Sequence, residues 1–383
     1  MKYYIIAGEA SGDLHASNLM KALKERDPQA EFRCWGGDLM EAAGGNIVKH
    51  YKELAFMGFW EVFTHLNEIL RNFKICQTDI LLYEPDVVIL VDYPGFNLRM
   101  AKFAKEQGIK VIYYISPQIW AWKKGRIKKI KQYVDEMMVI LPFEEDFYAK
   151  NGMKVHYVGH PLLDAVSHDL HQSEEVLRFR EQHELDNREI IALLPGSRKQ
   201  EITAILPQML KMIPLFPQYQ FVVSVVDWQP AELYDKFLKK HTVKTVKGSA
   251  YPLLANAKAA IVASGTATLE TAMVGTPEVV CYAGNELSYL IAKQLVTGIK
   301  YISLVNLIMD KPVVTELIQH EYDTPHLHRE LIRITDDQEC IAAMKEDYRK
   351  LYTLLGDGSA SAKAAEVVMS AFHKRKKLDS LQQ

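Results

Sequence analysis

Two successive series of short apolar runs, each run followed by a longer helix-like stretch, constrain this chain more than any other feature. An unbroken run of Val, Ile and Leu suits a strand buried on both faces, and strands that alternate with helices build parallel sheets. The first series is Tyr3–Ala7, Phe32–Trp35, Val87–Val91, Lys110–Ile115, Met137–Leu141 and Val155–Val158. The second is Ile190–Leu194, Phe221–Val225, Val243–Val246, Ala260–Ala263, Glu278–Tyr282 and Ile302–Val305. Between them, after Gly159-His160-Pro161, the stretch from Leu162 to Arg188 turns polar. The expected fold is therefore α/β, with two Rossmann-like doubly wound domains facing a cleft, residues 1–165 and 166–340. Residues 341–383 read as a C-terminal helical region with a basic tail, His373–Lys377. It either crosses back to the N-terminal domain or reaches a partner subunit in a homodimer.

Composition narrows the function. The 383 residues suit two domains of ordinary size, and 48% hydrophobic content with a net charge of −2 describes an ordinary globular chain without the basic excess of a nucleic-acid binder. The four cysteines, Cys34, Cys76, Cys281 and Cys340, are far apart with no C-x-x-C pair, so reduced buried thiols are expected rather than disulfides or zinc ligands. The opening run Tyr3–Ala7 meets Gly8 too soon for a signal core or a membrane span. The chain reads as cytoplasmic.

Every chemically suggestive turn falls at the end of a predicted strand, where doubly wound sheets bind ligands. In the second half, Leu193–Arg198 and Ala263–Glu270 are small-residue turns before helices, which aim backbone N–H groups at an anion. Ser197 adds a hydroxyl and Arg198 a fork for two phosphate oxygens. Ser264, Gly265 and Thr266 approach a phosphate, and Glu270 can accept from ribose hydroxyls. The pair reads as a holder for a nucleotide diphosphate.

In the first half, Gly8-Glu9-Ala10-Ser11-Gly12-Asp13 precedes a helix through Ser17–Lys24. Its carboxylates would repel a pyrophosphate, whereas Glu9, Ser11 and Asp13 can accept hydrogen bonds from a hydroxyl-rich acceptor. The structural alternative is that Ser11 or Asp13 merely caps the helix. Asp92 leaves the strongly apolar run Val87–Val91 just before Tyr93-Pro94-Gly95. A carboxylate in that place can have its pKa raised toward neutrality, as a general base needs, and a plain turn residue is the alternative.

Ser116–Lys131 joins Trp120 and Trp122 to six cationic residues, and Phe56–Leu66, continuing to Ile69, Leu70 and Phe73, gives a helix with a wide aromatic face. Such segments suit a membrane surface or a phosphate-bearing amphiphile, although solvated charge and ordinary core packing explain most of them. No Asp-x-Asp pair or His/Cys cluster is present to hold a metal, so neither a metal nor another cofactor is expected. His160 reads as a structural turn histidine.

In order, Ala7–Asp13, Ser116–Trp122, Ile140–Glu144, Val158–Leu162, Leu194–Arg198 and Ala263–Glu270 resemble the lipid-A-disaccharide synthases, glycosyltransferases of the two-domain GT-B type. The resemblance spans most of the chain. It implies inverting, metal-independent transfer of 2,3-diacylglucosamine from UDP-2,3-diacylglucosamine to the 6-hydroxyl of 2,3-diacylglucosamine 1-phosphate. It also implies a peripheral enzyme at the inner-leaflet surface of the cytoplasmic membrane in a Gram-negative bacterium. Asp92 and the Glu9–Asp13 segment then belong to the acceptor side, and Arg198, Ser264–Thr266 and Glu270 to UDP, with Asn306 and Gln319 joining the substrate-binding set. Two positions depart from the family pattern: Val305 replaces the usual proline before Asn306, and Ala16 replaces a common glycine after His15. A UDP-sugar epimerase of the same fold, or another GT-B enzyme with a lipid acceptor, is the competing reading.

Overall fold

The computed structural model describes residues 1–54, 66–121, 124–165, 170–248, 250–284 and 300–379. The chain divides into two compact units, Met1–Asp164 with Leu355–Gln383, and Ala165–Leu354. Each is built around one parallel sheet.

In the first unit the strands are β1 (Lys2–Ala7), β2 (Glu31–Gly36), β3 (Gly45–His50), β4 (Val87–Val91), β5 (Lys110–Tyr114), β6 (Glu136–Val139) and β7 (His156–Tyr157), in the spatial order β3-β2-β1-β4-β5-β6-β7. The principal helices are α1 (Ala10–Arg26), α2 (Asp38–Ala42), α3 (Leu66–Tyr83), α4 (Pro94–Glu106), α5 (Ile127–Tyr133) and α6 (Pro142–Lys150). Period-two alternation sends Tyr3, Ile5 and Ala7 to one face of the sheet and Tyr4 and Ile6 to the other, and all five are fully buried. Each fully buried large apolar side chain contributes ~1.5–3 kcal/mol, which is why the central strands tolerate no polar alternation.

The second unit contains β8 (Ile190–Leu194), β9 (Gln220–Val225), β10 (Lys244–Lys247), β11 (Ala257–Ala263), β12 (Glu278–Tyr282) and β13 (Thr315–Ile318), ordered β10-β9-β8-β11-β12-β13. Its principal helices are α7 (Lys199–Leu210), α8 (Ala231–Leu238), α9 (Tyr251–Asn256), α10 (Thr266–Val274), α11 (Leu304–Met309), α12 (Thr324–Asp336) and α13 (Gln338–Leu355). The last helix, α14 (Ala360–Asp379), belongs to the first unit, where Ala364, Ala365, Val368 and Ala371 join the core beside α1. The stretch 341–383 is thus shared between the units rather than forming a region of its own. Asp164 receives α14, its carboxylate accepting from the N–H groups of Ala360 and Ser361 at 3.0 and 2.8 Å.

Strand order reverses between β1 and β4 in one sheet and between β8 and β11 in the other, which places a ligand crevice at the carboxyl end of each pair. The turns expected to carry chemistry leave these four strands. One predicted strand does not exist: Ile302–Val305 leads into α11, because the buried Ser303 caps the helix by accepting the Asn306 N–H at 3.3 Å. Among the described residues no helix is long and apolar enough to cross a membrane. Cys34, Cys76 and Cys281 are buried and unbonded to sulfur.

Candidate active site

At the first switch point, Gly8, Glu9, Ser11 and Gly12 from one chain segment and Asp92 and Tyr93 from the other line a narrow crevice, too tight in this structure to admit a water molecule. Gly8 is required by close approach: a Cβ there would lie 2.4 Å from the Tyr93 ring. Asp92 and Tyr93 both adopt left-handed backbone, φ 44° and 47°, and Pro94 in the first turn of α4 disfavours the right-handed region for Tyr93. The kink is held by its carbonyl. Asp92 C=O accepts from Tyr113 Oη at 2.5 Å and from Asn97 Nδ2 at 2.8 Å, both residues being fully buried.

The Asp92 carboxyl is pushed up to about 6, first by burial and then by the nearby Glu9 carboxylate, with the Tyr93 N–H working the other way. At neutral pH it is ionised yet basic enough to take a proton from a hydroxyl. Glu9 caps α1 only through its backbone, leaving its side chain free of any capping bond, and Ser11 is exposed.

Asp13 requires a correction. Because α1 starts at Ala10 rather than near Ser17, Asp13 lies inside the helix, buried at 2% exposure. Its carboxylate accepts from the N–H groups of Gly37, Leu39 and Met40 at 2.8, 3.1 and 3.1 Å, so it caps α2 and both of its oxygens are engaged inside the fold. His160 is buried and accepts the Leu162 N–H, and desolvation lowers it to about 3, so it is a neutral turn residue.

At the second switch point Gly196, φ 101°, turns the chain out of β8. The N–H groups of Ser197 and Arg198 do not stand open, because Glu201 Oε2 accepts both, at 3.1 and 3.2 Å. Arg198 Nη1 also donates to Glu201 Oε1 at 3.2 Å, yet its side chain is 62% exposed. Trp228 and Gln229 fix the turn by donating to the Ser197 carbonyl. Beside it, Gly265 and Thr266 are exposed at the start of α10, with open space around Gly265. Ser264 is tied down by the Cys281 carbonyl through its N–H and by the Ile302 carbonyl through its hydroxyl. Burial pushes Glu270 above the usual carboxylate range, while Tyr251 holds one of its oxygens at 3.4 Å.

Asn306 and Gln319 are committed to backbone. The Asn306 amide accepts from Val314 N–H at 3.0 Å and donates to Val314 C=O at 2.9 Å, and it also donates to Glu316. Gln319 clasps Gly284 in the same two-point manner, at 3.0 and 3.3 Å. Each amide therefore shapes a loop; Asn306 needs no proline before it, since the Ser303 cap and Val314 fix its place. Sequence reasoning missed Tyr113, Asn97 and Glu201. Only Glu201 had a signal, a carboxylate three residues after a helix cap. The aromatic segment Phe56–Phe63 and the residues Trp122 and Lys123 lie outside the described residues.

Two doubly wound units, one with the Asp92 carboxylate at its switch point and the other with the exposed Arg198 near the start of α10, have the architecture of the two-domain GT-B glycosyltransferases. The comparisons agree. The profile of the family described as Lipid-A-disaccharide synthetase matches residues 3–371. A "Lipid-A-disaccharide synthase" of Syntrophus aciditrophicus (strain SB) is 39% identical over 377 residues, covering 97% of each chain. This chain belongs to the lipid-A-disaccharide synthetase family. Among solved structures, a UDP-GlcNAc 2-epimerase from Neisseria meningitidis bound to UDP-GlcNAc shares the fold at TM-score 0.67 with 14% identity, covering 97% of this chain and all of that one. The glycotransferase of kitacinnamycin does so at 0.64 with 11% identity, over 96% and 98% of the two chains.

Proposed function

We propose that this enzyme transfers 2,3-diacylglucosamine from UDP-2,3-diacylglucosamine to the 6-hydroxyl of 2,3-diacylglucosamine 1-phosphate. Asp92 takes the hydroxyl proton, the freed oxygen attacks the donor's anomeric carbon, and the bond from that carbon to the UDP oxygen breaks with inversion. UDP keeps the electron pair, and the β-1,6-linked disaccharide 1-phosphate leaves with it as product. Arg198 neutralises the departing diphosphate, with Ser197, Gly265 and Thr266 around it and Glu270 on the ribose. Glu9 and Ser11 orient the acceptor, while Asp13, Asn306 and Gln319 keep the surrounding loops in place.

What carries this reading is the place of Asp92 at the β1/β4 switch point beside Glu9, with its carboxyl pushed up to about 6. Both substrates bear acyl chains, so the same reading puts the enzyme at the inner-leaflet surface of the cytoplasmic membrane. Exposed Lys128 and Lys129 and the half-exposed Leu70 of α3 suit that surface. The last helix, α14, packs on α1 of its own chain.

The test incubates purified protein with both substrates, with and without EDTA, and looks for disaccharide and UDP by mass spectrometry. Disaccharide in both arms is expected. Epimerised sugar released without acceptor would overturn the transfer, and loss in EDTA with rescue by a divalent ion would overturn its metal independence.

A further inference from the structure

Among the described residues one aromatic side chain stands in solvent: Trp228, 62% exposed. Every other Trp, Tyr and Phe whose burial is described is buried or half-buried. An indole left in water forgoes the gain that draws those rings inward, so its position calls for a reason.

The ring is exposed but tethered. Trp228 follows β9, which runs parallel to β8 in a register that sets Leu193 beside Val223 and so brings the ends of the two strands together. There the indole Nε1 donates to the Ser197 carbonyl at 3.2 Å, and Gln229 Nε2 donates to the same oxygen at 3.1 Å. This bond uses only the polar edge of the indole. The ring is thus anchored to the turn that carries Arg198, itself 62% exposed, while most of its surface stays open to solvent. Gln229 gives the carbonyl a second donor, so the turn does not depend on the tryptophan for its shape.

A flat ring fixed beside a turn that holds phosphates suits a ligand with a flat ring one ribose away from its phosphates. Stacking on an aromatic face is a general way to hold a base, because every base offers a π-face. We infer that Trp228 stacks on the uracil of the UDP donor, and that its ring, rather than its hydrogen bond to Ser197, is what binding uses. The inference rests on the proposed reading of the second unit as the UDP side and assigns to it the residue that holds the base.

The experiment measures the Kd of UDP and of inorganic pyrophosphate for wild type, Trp228→Leu and Trp228→Phe by calorimetry. Trp228→Leu, which loses the aromatic face, should bind UDP roughly 5- to 100-fold more weakly. Trp228→Phe keeps a ring and loses the N–H donor, and should stay within about threefold of wild type. Pyrophosphate has no base, so its Kd should be the same in all three proteins, which also shows that the variants fold. UDP should quench indole emission in wild type, and most of that quenching should be gone in Trp228→Phe. A Leu variant that binds UDP as tightly as wild type would overturn the inference. So would a Phe variant as weak as the Leu variant, or a loss of pyrophosphate binding parallel to that of UDP, since either makes Trp228 a support for the turn. A wild type that binds no UDP overturns the UDP-transfer reading itself, which is a different failure.

Discussion

At the end of β4 two residues without glycine's freedom, Asp92 and Tyr93, hold φ values of 44° and 47°, whereas at the end of β8 the left-handed position belongs to Gly196. The first arrangement costs on the order of 1–3 kcal/mol per residue and survives because Tyr113 and Asn97 seize the Asp92 carbonyl. The second is relaxed, closed by Glu201 accepting the Ser197 and Arg198 N–H groups. The two ends differ in wetness as well: Asp92 is shielded enough for its carboxyl to rise to about 6, while Arg198 lies largely in solvent. The contrast teaches a division of labour. On the proposed reading, strain falls where the hydroxyl proton is taken, and the exposed, unstrained Arg198 is where the diphosphate charge is held.

The sharpest way to break that comparison is Asp92→Asn. Turnover should fall by roughly 10²- to 10⁴-fold, the range of a general base. The wild-type kcat/KM profile should lose activity as pH drops through about 6, and that limb should vanish in the variant. Near wild-type turnover would end the assignment. Next in size is Arg198→Ala, expected to lose roughly 10²- to 10³-fold in kcat with little change in thermal midpoint. The i,i+3 pair with Glu201 is exposed and worth little to the fold, so it can be exchanged for a phosphate at small cost. A loss of stability as large as the loss of turnover would make Arg198 structural. Smaller again is Tyr113→Phe, which removes the hydroxyl from the Asp92 carbonyl and lets the kink relax. A loss of roughly tenfold in kcat is expected, about one hydrogen bond, with the acid limb of the pH profile shifted.

How far the sequence shows these features follows from where the determining contacts lie. The central strands are legible because burial on both faces leaves an unbroken apolar signature in β1, β4, β8 and β11. The edge strands β3 and β13 escape notice, since Gly45–His50 and Thr315–Ile318 are mostly half-exposed and carry polar residues. Ile302–Val305 misleads for the opposite reason, being an apolar run whose serine starts a helix. Asp92 is readable from its position after β4. The role of Asp13 is not, because the N–H groups it holds lie 24 to 27 residues away. Asn306 and Gln319 enter the substrate-binding set only through the family resemblance, and the coordinates show each amide pairing with a neighbouring peptide.

The smallest expected effect is on stability, and it separates the two ends most cleanly. An aspartate held at about 6 against an ordinary 3.8 is one whose charged form the native state disfavours. Its protonated form therefore lends stability that is complete below about 3.8 and lost as pH rises through about 6. At pH 8 the wild type bears a cost on the order of 2 kcal/mol, after allowance for residual solvent contact. Asp92→Asn has no charge to bury, so at pH 8 it should melt a few degrees above wild type. Near pH 4 the gap should close. Arg198→Ala should show no such pH-dependent gain, because nothing at the second switch point buries a charge at the arginine itself. Thermal melts of the three proteins at the two pH values decide it, and an Asp92→Asn variant no more stable than wild type at pH 8 would mean that the carboxylate is well solvated and the strained kink serves some purpose other than raising its basicity.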